Sequence, residues 1–392
     1  MSSGRDFGRI SRRGFLGSAA LGSAAIAAPS LLVGCRKGGD TIQLGAILGL
    51  SGEDASLGNE TKDGIAMALD EVNAAGGVKG KKLAVAYEDT KLDPTLASEK
   101  IQKLIDRDKC VVVLGDAGST PTLSARNYAE KAKVPLVTPS ATNVDVTKGA
   151  KWVFRVCFTD ATQGAAAAKF ARDGLKADKA AIIYATGNKY SEGLQAIFKK
   201  EFEDRGGKVV KIATYQMGET NIVSFLTEIK DADPQFIFAP VYPSDLSKIG
   251  PTKQQIGLKA PLMGTDGWDG PATRQKGVIE TLEGSYFTNL FAADQPGSKA
   301  KDFVEAHKKR FGGRVPSSLT ACGYDAFKLV VDAISRAREV TPDAIRDALE
   351  ATKGYSGVTG TFDIDAGHNA TKPVPVMKIT AGDFKYDSMV TL

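Results

Sequence analysis

Two loops of small polar residues follow apolar segments in the first half of the 392-residue chain: Gly115–Pro121 after residues 111–114, and Pro139–Asn143 after residues 134–137. Ligands of parallel α/β sheets bind at the carboxyl ends of strands, where free backbone N–H groups and a helix dipole can hold a carboxylate. Each loop taken alone is more typical of a helix cap, but two loops on successive strands favour a site. The candidate residues are Ser119, Thr120, Ser140, Ala141 and Thr142.

An acid and two tyrosines occupy comparable positions further along the chain. Asp266 lies between glycines after the apolar residues 262–263, while Tyr190 and Tyr242 follow the apolar segments 180–185 and 235–241. Such an acid can pair with an ammonium group, although Asp is also a common turn residue and the tyrosines also fit ordinary loops. An anion site in one half and an acid with tyrosines in the other predict a zwitterionic ligand.

Sequence signatures of enzymes are absent. The chain has no nucleophile-elbow G-x-S-x-G, no dinucleotide-binding G-x-G-x-x-G, no P-loop and no H-E-x-x-H motif. Its histidines, His307 and His368, have no metal-ligand spacing and offer little for acid–base catalysis. We predict a protein that is not an enzyme and that uses neither a metal nor a cofactor.

Residues 11–35 have the pattern of an export signal. A twin arginine at Arg12 and Arg13 is followed by a weakly apolar run that closes on Leu32-Val33-Gly34-Cys35, the pattern of a lipoprotein cleavage site. A run of about 20 apolar residues can also anchor a protein in a membrane. The glycines and serines of the run, and its terminal cysteine, favour a cleaved signal instead.

The expected mature protein therefore begins at Cys35, which would carry lipid, with residues 1–34 removed and residues 35–40 as a tether. We expect it in the periplasm or on the outer face of the cell membrane, attached by the lipid anchor only. ATP and NAD(P)H are absent there, and this location favours capture of a solute over chemistry.

Charge and cysteine content restrict the partners. Residues 1–34 carry four arginines and one aspartate, a net +3, so the formal charge falls from +5 to about +2 without them, and no basic block indicates nucleic acid. If Cys35 carries lipid, Cys110, Cys157 and Cys322 remain, which permits at most one internal disulfide. Their apolar surroundings favour buried thiols without a bridge.

Apolar segments alternate with helical patterns along most of the chain. Continuous β-branched runs such as residues 111–114 are typical of parallel strands that are covered on both faces. One series ends near residue 156 and a second of similar length follows, with helices expected over 62–75, 94–107 and 271–280, among others. This pattern predicts an α/β protein with two similar doubly wound parallel-sheet lobes.

In this order, the motifs resemble the type I periplasmic binding proteins of the leucine/isoleucine/valine-binding kind, the receptors of branched-chain amino acid ABC transporters. The resemblance covers nearly the whole chain after Cys35. It is carried by Leu50-Ser51-Gly52, Gly64–Ala68, Asn73–Gly77, Asp89-Thr90, Gly115–Ser119, Val134–Val137, Pro139–Thr142, Gly323–Ala326 and Thr359–Asp363.

The resemblance implies roles for the candidate residues. Ser119 would bind the ligand carboxylate, and Ser140 would bind the ammonium through its backbone carbonyl. Thr142 would bind the ligand through its hydroxyl and its N–H, and Asp266 would replace the glutamate that often pairs with the ammonium. Tyr190 and Tyr242 would close over the ligand from the second lobe. Leu57 stands where Leu/Ile/Val-binding relatives often have Tyr, so the side-chain pocket is expected to differ.

The resemblance also implies a three-segment hinge, with crossings near 157–158, 286–289 and 357–360. The lobes would be 41–157 with 288–358, and 158–287 with 360–392. The expected function is capture of an amino acid, branched-chain or a related aliphatic one, and its delivery to ABC permease subunits. Two alternatives stay open: an amide or urea as the ligand, and a role as the ligand-sensing subunit of a membrane signalling partner.

Overall fold

The computed structural model describes residues 41–296 and 298–392. The expected signal over 1–34, Cys35 and the tether over 35–40 lie outside the described residues. The strands are β1 (Thr41–Leu48), β2 (Lys82–Asp89), β3 (Val113–Gly115), β4 (Leu136–Thr138), β5 (Val153–Arg155), β6 (Lys179–Thr186), β7 (Lys208–Gln216), β8 (Phe236–Phe238), β9 (Leu262–Gly264), β10 (Tyr286–Thr288), β11 (Tyr355–Gly357), β12 (Gly360–Phe362), β13 (Val374–Thr380) and β14 (Asp383–Val390). The helices are α1 (Ala55–Ala74), α2 (Pro94–Gln102), α3 (Ser119–Ala132), α4 (Asp160–Asp173), α5 (Lys189–Asp204), α6 (Val223–Asp231), α7 (Pro243–Gln255), α8 (Ser298–Arg310), α9 (Ser318–Arg336) and α10 (Pro342–Glu350).

The first sheet is parallel, with the strand order β2-β1-β3-β4-β5. Helices cover both of its faces. Leu114 and Val137 belong to the core that includes α1 and α9, whereas Val113 and Leu136 pack with α2 and α3. Successive strand residues point to opposite faces, so a strand that is covered twice must be apolar at every position.

The second sheet repeats this order. Its parallel part runs β7-β6-β8-β9-β10, and the antiparallel strands β13 and β14 extend it beyond β10. We call the first sheet with its helices the first lobe, and the second sheet with its helices the second lobe. The predicted fold class, two similar doubly wound α/β lobes, is confirmed.

The chain passes between the lobes three times. It leaves the first sheet after β5, returns after β10 to place α9 against α1, and leaves again before β13. Asp325 on α9 fixes the third passage, because its carboxylate accepts hydrogen bonds from the N–H groups of Val358 and Thr359 at 2.8 and 2.9 Å. The residue boundaries predicted for the lobes remain a proposal.

One helix prediction was wrong, and another placed the start of its helix too late. Residues 271–278 form turns and a bend, followed by a 3₁₀ segment at Ile279–Leu282. Gly277 adopts a φ of 90°, which ends any helix that starts at Pro271 after too few residues to be stable. The helix expected from Lys62 begins earlier, at Ala55, because Gly58 lets this turn approach Gly49 so closely that a Cβ would lie 2.2 Å from the Gly49 carbonyl oxygen.

The cysteines within the described residues are unbridged. Cys110, Cys157 and Cys322 are all buried free thiols, as expected from their apolar surroundings. No helix in residues 41–296 and 298–392 combines the length and the apolar character that crossing a membrane requires.

Candidate functional site

The polar loops after β3 and β4 lie side by side, because their strands are neighbours. Ser119 opens α3 and is 1% exposed; its Oγ accepts a hydrogen bond from Asn143 N–H at 3.2 Å. Ser140 Oγ donates to the Ala117 carbonyl at 3.1 Å. The two loops therefore form one bonded unit at the carboxyl edge of the first sheet.

The side chain of Asp116 stabilises the loop after β3. It is fully buried, and its carboxylate accepts hydrogen bonds from Thr90 Oγ1 at 2.5 Å and from Ala117 N–H at 2.5 Å. Burial raises the pKa of Asp116 to about 6, with these hydrogen bonds opposing the rise. Thr138 Oγ1 donates to the Asp116 carbonyl at 2.8 Å and so connects this loop to β4. Asp116 is a support for the loop.

The candidate residues of the second lobe converge on one tyrosine hydroxyl. Tyr190 is 2% exposed and lies in the first turn of α5, where Asn188 Oδ1 accepts its N–H at 3.0 Å. Its hydroxyl donates to Asp266 Oδ1 at 3.1 Å, accepts from Gly267 N–H at 2.9 Å, and lies 2.6 Å from Thr265 Oγ1. The hydroxyl thus fixes both the acid and the turn that carries it.

Trp268 supports this turn from the core. It is fully buried and donates its indole N–H to the Ala239 carbonyl at 3.0 Å. A Cβ on Gly264 would lie 2.0 Å from the indole ring, so only glycine at this position lets the ring pack under the strand end. Trp268 therefore belongs to the core of the second lobe.

Asp266 is a buried carboxylate whose hydrogen bonds only partly offset the effect of burial on its pKa. It is 3% exposed, and burial raises its pKa to about 6, while the side chains of Gln163 and Tyr190 oppose the rise. Among the described residues no Lys or Arg forms an ion pair with it within 4.0 Å. A buried acid without a partner cation is able to receive one from a ligand.

Tyr242 joins the two halves of the site. Its ring stacks on Tyr190 with centroids 5.0 Å apart, and it packs against a small apolar cluster of Leu57, Ala117 and Leu319. Burial raises the pKa of Tyr242 well above its usual value, and a hydrogen bond with the backbone of Ser119 opposes the rise. Leu57 thus lies in an apolar cluster beside the Tyr242 ring.

Hydrogen bonds also cross between the lobes. Lys189 N–H donates to Thr120 Oγ1 at 3.0 Å, and Asn143 Nδ2 donates to the Lys189 carbonyl at 2.7 Å. Beside them lies a groove of about 420 Å³, whose lining includes Thr120, Asn188 and Tyr242. Thr120 and Tyr242 thus lie at the junction of the lobes, whereas Ala141 packs in the core of the first lobe. The lobes are in contact here, so the structure is a closed one.

Sequence reasoning missed two buried charges beside this site. Arg155 is fully buried and donates to the carbonyls of Ala141 and Asn143 at 2.8 and 2.9 Å, which holds the second loop. Burial lowers the pKa of Arg155. Asp160, also fully buried, opens α4 and donates its N–H to the Thr142 carbonyl at 2.8 Å. The sequence did contain a signal for these buried charges, because one charged residue lies inside the apolar run 152–158 and the other lies shortly after it.

Several buried polar atoms near the junction have no hydrogen-bond partner within the described chain. They are Thr142 Oγ1, both carboxylate oxygens of Asp160, Gln163 Oε1 and Ser191 Oγ. Burial raises the pKa of Asp160 to about 8, and the neighbouring side chain of Thr142 opposes the rise. Buried polar groups are normally satisfied, so this cluster is open to the donors of a bound molecule.

Comparisons with known proteins found relatives that match most of the chain. The family described as periplasmic binding protein matches residues 41–383. A leucine-, isoleucine-, valine-, threonine- and alanine-binding protein of Pseudomonas aeruginosa is 29% identical over 329 residues, which cover 83% of this chain and 86% of that protein.

Two solved structures are similar along most of the chain. The substrate-binding protein of a branched-chain amino acid transporter from Streptococcus pneumoniae, in complex with isoleucine, has a TM-score of 0.84 and 31% identity, over 89% of this chain and 99% of that one. A solute-binding protein of an ABC transporter from R. palustris, in complex with benzoate, has a TM-score of 0.81 and 22% identity, over 89% and 96% of the two chains. The second likeness concerns the fold alone.

Proposed function

The chain belongs to the periplasmic binding protein family, and we propose that it captures an aliphatic amino acid between its lobes and delivers it to an ABC permease. Its amino-acid-binding relatives support this function. The protein would act as a receptor outside the cytoplasm and would carry out no chemistry on its ligand.

The observation that carries the proposal is the pair of unlike half-sites at the junction of the lobes. Asp266, buried and bonded to Tyr190, is suited to an ammonium group. The loops that contain Ser119 and Thr142 are suited to a carboxylate and to the remaining ammonium protons. Charge-assisted hydrogen bonds at both ends would select a zwitterion.

The apolar cluster around Leu57 suggests the rest of the ligand. Leu57, Ala117 and Leu319 are buried aliphatic residues beside the Tyr242 ring. They match an aliphatic side chain of the ligand.

An aromatic acid is the second candidate ligand, because the R. palustris neighbour is in complex with benzoate. The stacked rings of Tyr190 and Tyr242 are compatible with it. Benzoate has no cation, however, and would leave Asp266 buried and unpaired, which is unfavourable. This difference favours the amino acid.

A thermal-shift screen tests the choice. The panel contains the twenty amino acids, isocaproate, leucinamide, benzoate, 4-hydroxybenzoate, urea and short amides, because a ligand that binds only the folded state raises the melting temperature. We expect stabilisation by leucine, isoleucine or valine, and much less by isocaproate or leucinamide, which each lack one charged end. Stabilisation by benzoate and by none of the amino acids would contradict the proposal.

We also propose that the protein reaches its compartment by twin-arginine export and is held there by lipid on Cys35. The motif Arg12-Arg13 and the sequence Leu32–Cys35 support this proposal. Cys35→Ser should release the protein from the membrane or leave an uncleaved precursor, and fractionation measures both. Normal tethering of this variant would contradict the lipid anchor.

A further inference from the structure

Asp269 ends the turn that begins with Asp266, and its side chain contacts the first lobe. Asp269 is 4% exposed, and its N–H donates to the Asp266 carbonyl at 3.1 Å, so the two acids belong to one 3₁₀ turn. Its Oδ2 accepts a hydrogen bond from the N–H of Ser318 at 2.7 Å. Ser318 is the first residue of α9, which packs against α1. This hydrogen bond therefore joins the turn of the second lobe to a helix of the first lobe.

The same carboxylate oxygen also contacts the second passage between the lobes. Asn289 follows β10 and donates its Nδ2 to Asp269 Oδ2 at 2.9 Å. The other oxygen, Oδ1, is buried and has no hydrogen-bond partner among the described residues, and Arg274 Nη2 lies 4.0 Å from it. One oxygen thus connects three separate segments: the turn, the second passage and the start of α9.

The start of α9 is held within the first lobe without Asp269. Ser317 precedes the helix, and its Oγ accepts a hydrogen bond from Thr320 N–H at 3.2 Å, which is an ordinary helix cap. Glu60 on α1 accepts in turn from Ser317 Oγ at 3.0 Å and from Thr320 Oγ1 at 2.8 Å. What Asp269 adds is therefore the position of the second lobe relative to this helix.

The start of α9 also carries part of the apolar cluster at the site. Leu319, the residue after Ser318, packs there with Leu57. Asp269 follows Asp266 by three residues on one turn, and it is hydrogen-bonded to the residue that precedes Leu319. The position of this turn relative to α9 decides how far a bound ammonium group lies from the cluster.

We propose that Asp269 is a positioning residue that fixes the spacing between the ammonium-binding turn and the apolar cluster when the lobes close, and thereby sets the length of aliphatic side chain that the protein prefers. The inference rests on the proposed function, because it requires a ligand with an ammonium group and an aliphatic side chain. Asp269 acts through Ser318 and α9, since its bonded oxygen is occupied by donors of the protein itself.

Longer side chains depend more on this spacing than shorter ones. Each methylene group that packs against the cluster contributes about fourfold in affinity, and this gain requires contact at van der Waals distance. The methyl group of alanine makes few such contacts. Loss of the hydrogen bond to Ser318 lets the lobes close at more than one spacing, so the affinity for leucine should fall more than the affinity for alanine.

Calorimetry with L-leucine, L-valine and L-alanine measures this difference. For Asp269→Ala we expect the ratio of the leucine affinity to the alanine affinity to fall by about fivefold to tenfold, with valine in between. The ratio is the decisive quantity, because misfolding of part of the sample lowers the fraction that binds but affects every ligand equally.

Ser318→Pro removes the same hydrogen bond from the donor side. Ser318 occupies the first position of α9, where proline is favoured, and Ser317 before it has a ψ of 169°, which a following proline tolerates. This variant should lower the ratio as Asp269→Ala does, and it tests the proposal independently of the stability of that variant.

Two further variants should keep the wild-type ratio within about twofold. Asp269→Asn keeps an oxygen that can accept from Ser318 N–H, and its new nitrogen replaces the oxygen without a hydrogen-bond partner. Asp383→Asn is the matched control, because Asp383 also pairs with Arg274 but does so within the second lobe.

The outcomes distinguish the two proposals. No binding of any of the three amino acids by the wild-type protein would contradict the proposed function itself. Equal losses of affinity for leucine and alanine in Asp269→Ala would show that Asp269 only stabilises closure, and would overturn its role in selecting the side chain. Wild-type affinities for leucine and alanine within about threefold of each other would also overturn it, because the protein would have no preference for length. A ratio that falls as far in Asp269→Asn as in Asp269→Ala would assign the effect to charge and overturn the role of the hydrogen bond to Ser318.

Discussion

The buried acid of the second lobe depends on a tyrosine for its orientation. Tyr190 donates to Asp266 and accepts from the neighbouring backbone at Gly267, whose missing side chain makes room, since a Cβ would lie 2.9 Å from the hydroxyl. At this scale, the sequence Gly-Thr-Asp-Gly has a steric reason. Gly267 lets the Tyr190 hydroxyl approach the turn, and the hydroxyl orients the Asp266 carboxylate through a hydrogen bond.

Asp266→Ala should weaken amino acid binding by about 2–5 kcal/mol, because it leaves a buried ammonium unpaired. Tyr190→Phe keeps the charge and removes only its orientation, so we expect a smaller loss of about 0.5–1.5 kcal/mol. Calorimetry measures both. A loss below about threefold in affinity for Asp266→Ala, roughly 0.7 kcal/mol, would show that another group binds the ammonium.

Ser119→Ala should weaken binding of an amino acid by about 1.5–3 kcal/mol, the contribution of a hydrogen bond to a charged group. Ser119 also accepts from Asn143 N–H, so the variant disturbs the second loop as well. The matched ligand leucinamide, which lacks the carboxylate, separates the two effects. Equal losses for the acid and the amide would show that Ser119 only joins the loops.

At the scale of elements, the start of α1 binds the start of α7 across the cleft. Asp54 precedes α1, and its carboxylate accepts from Ser244 N–H at 2.9 Å and from Ser244 Oγ at 2.8 Å. Burial raises the pKa of Asp54, and the bonds from Ser244 oppose the rise. One carboxylate of the first lobe thus satisfies one backbone N–H donor in the first turn of a second-lobe helix.

Ser244→Ala should weaken ligand binding by about 1.5 kcal/mol, or roughly tenfold, because it removes a hydrogen bond that spans the two lobes. Such a contact favours closure only by the difference it makes between the open and closed forms. Ser247→Ala is the control: it lies on the same helix, and its Oγ bonds only to the Ser244 carbonyl. Equal affinities of the two variants would mean that the Asp54 contact does not favour closure.

At the scale of the whole molecule, three chain passages join two lobes that carry complementary half-sites. Neither half-site by itself offers partners for both ends of a zwitterion. A ligand that contacts both lobes must therefore favour the closed form, whereas one that contacts a single lobe shifts nothing.

Small-angle scattering should show a smaller radius of gyration at ligand saturation than without ligand, with each lobe moving as a rigid body about the three passages. Isocaproate, which lacks the ammonium, is the control and should reduce the radius less. An unchanged radius under confirmed saturation by an amino acid would show that binding does not close the two lobes.

The fold was largely predictable from local pattern. Buried parallel strands must be apolar on both faces, so continuous runs such as residues 111–114 indicated doubly covered sheets. The strand-end positions of Ser119, Thr142 and Asp266 follow from the same pattern, because parallel strands present their carboxyl ends on one edge. The prediction of a helix over 271–280 was wrong, because the positive φ at Gly277 interrupts a segment whose apolar periodicity is helical.

Only the tertiary structure decided which partners the buried charged residues have. Arg155 and Asp160 belong to one short stretch of sequence, but their protonation and partners depend on loops and helices from elsewhere, including Ala141, Thr142 and Gly193. Desolvation and electrostatic interactions act through space, between groups that chain order does not bring together. The periodicity of a sequence predicts which face of a helix or strand is buried. Which residues pack against that face is decided only by the tertiary structure, in which both lobes meet at the site.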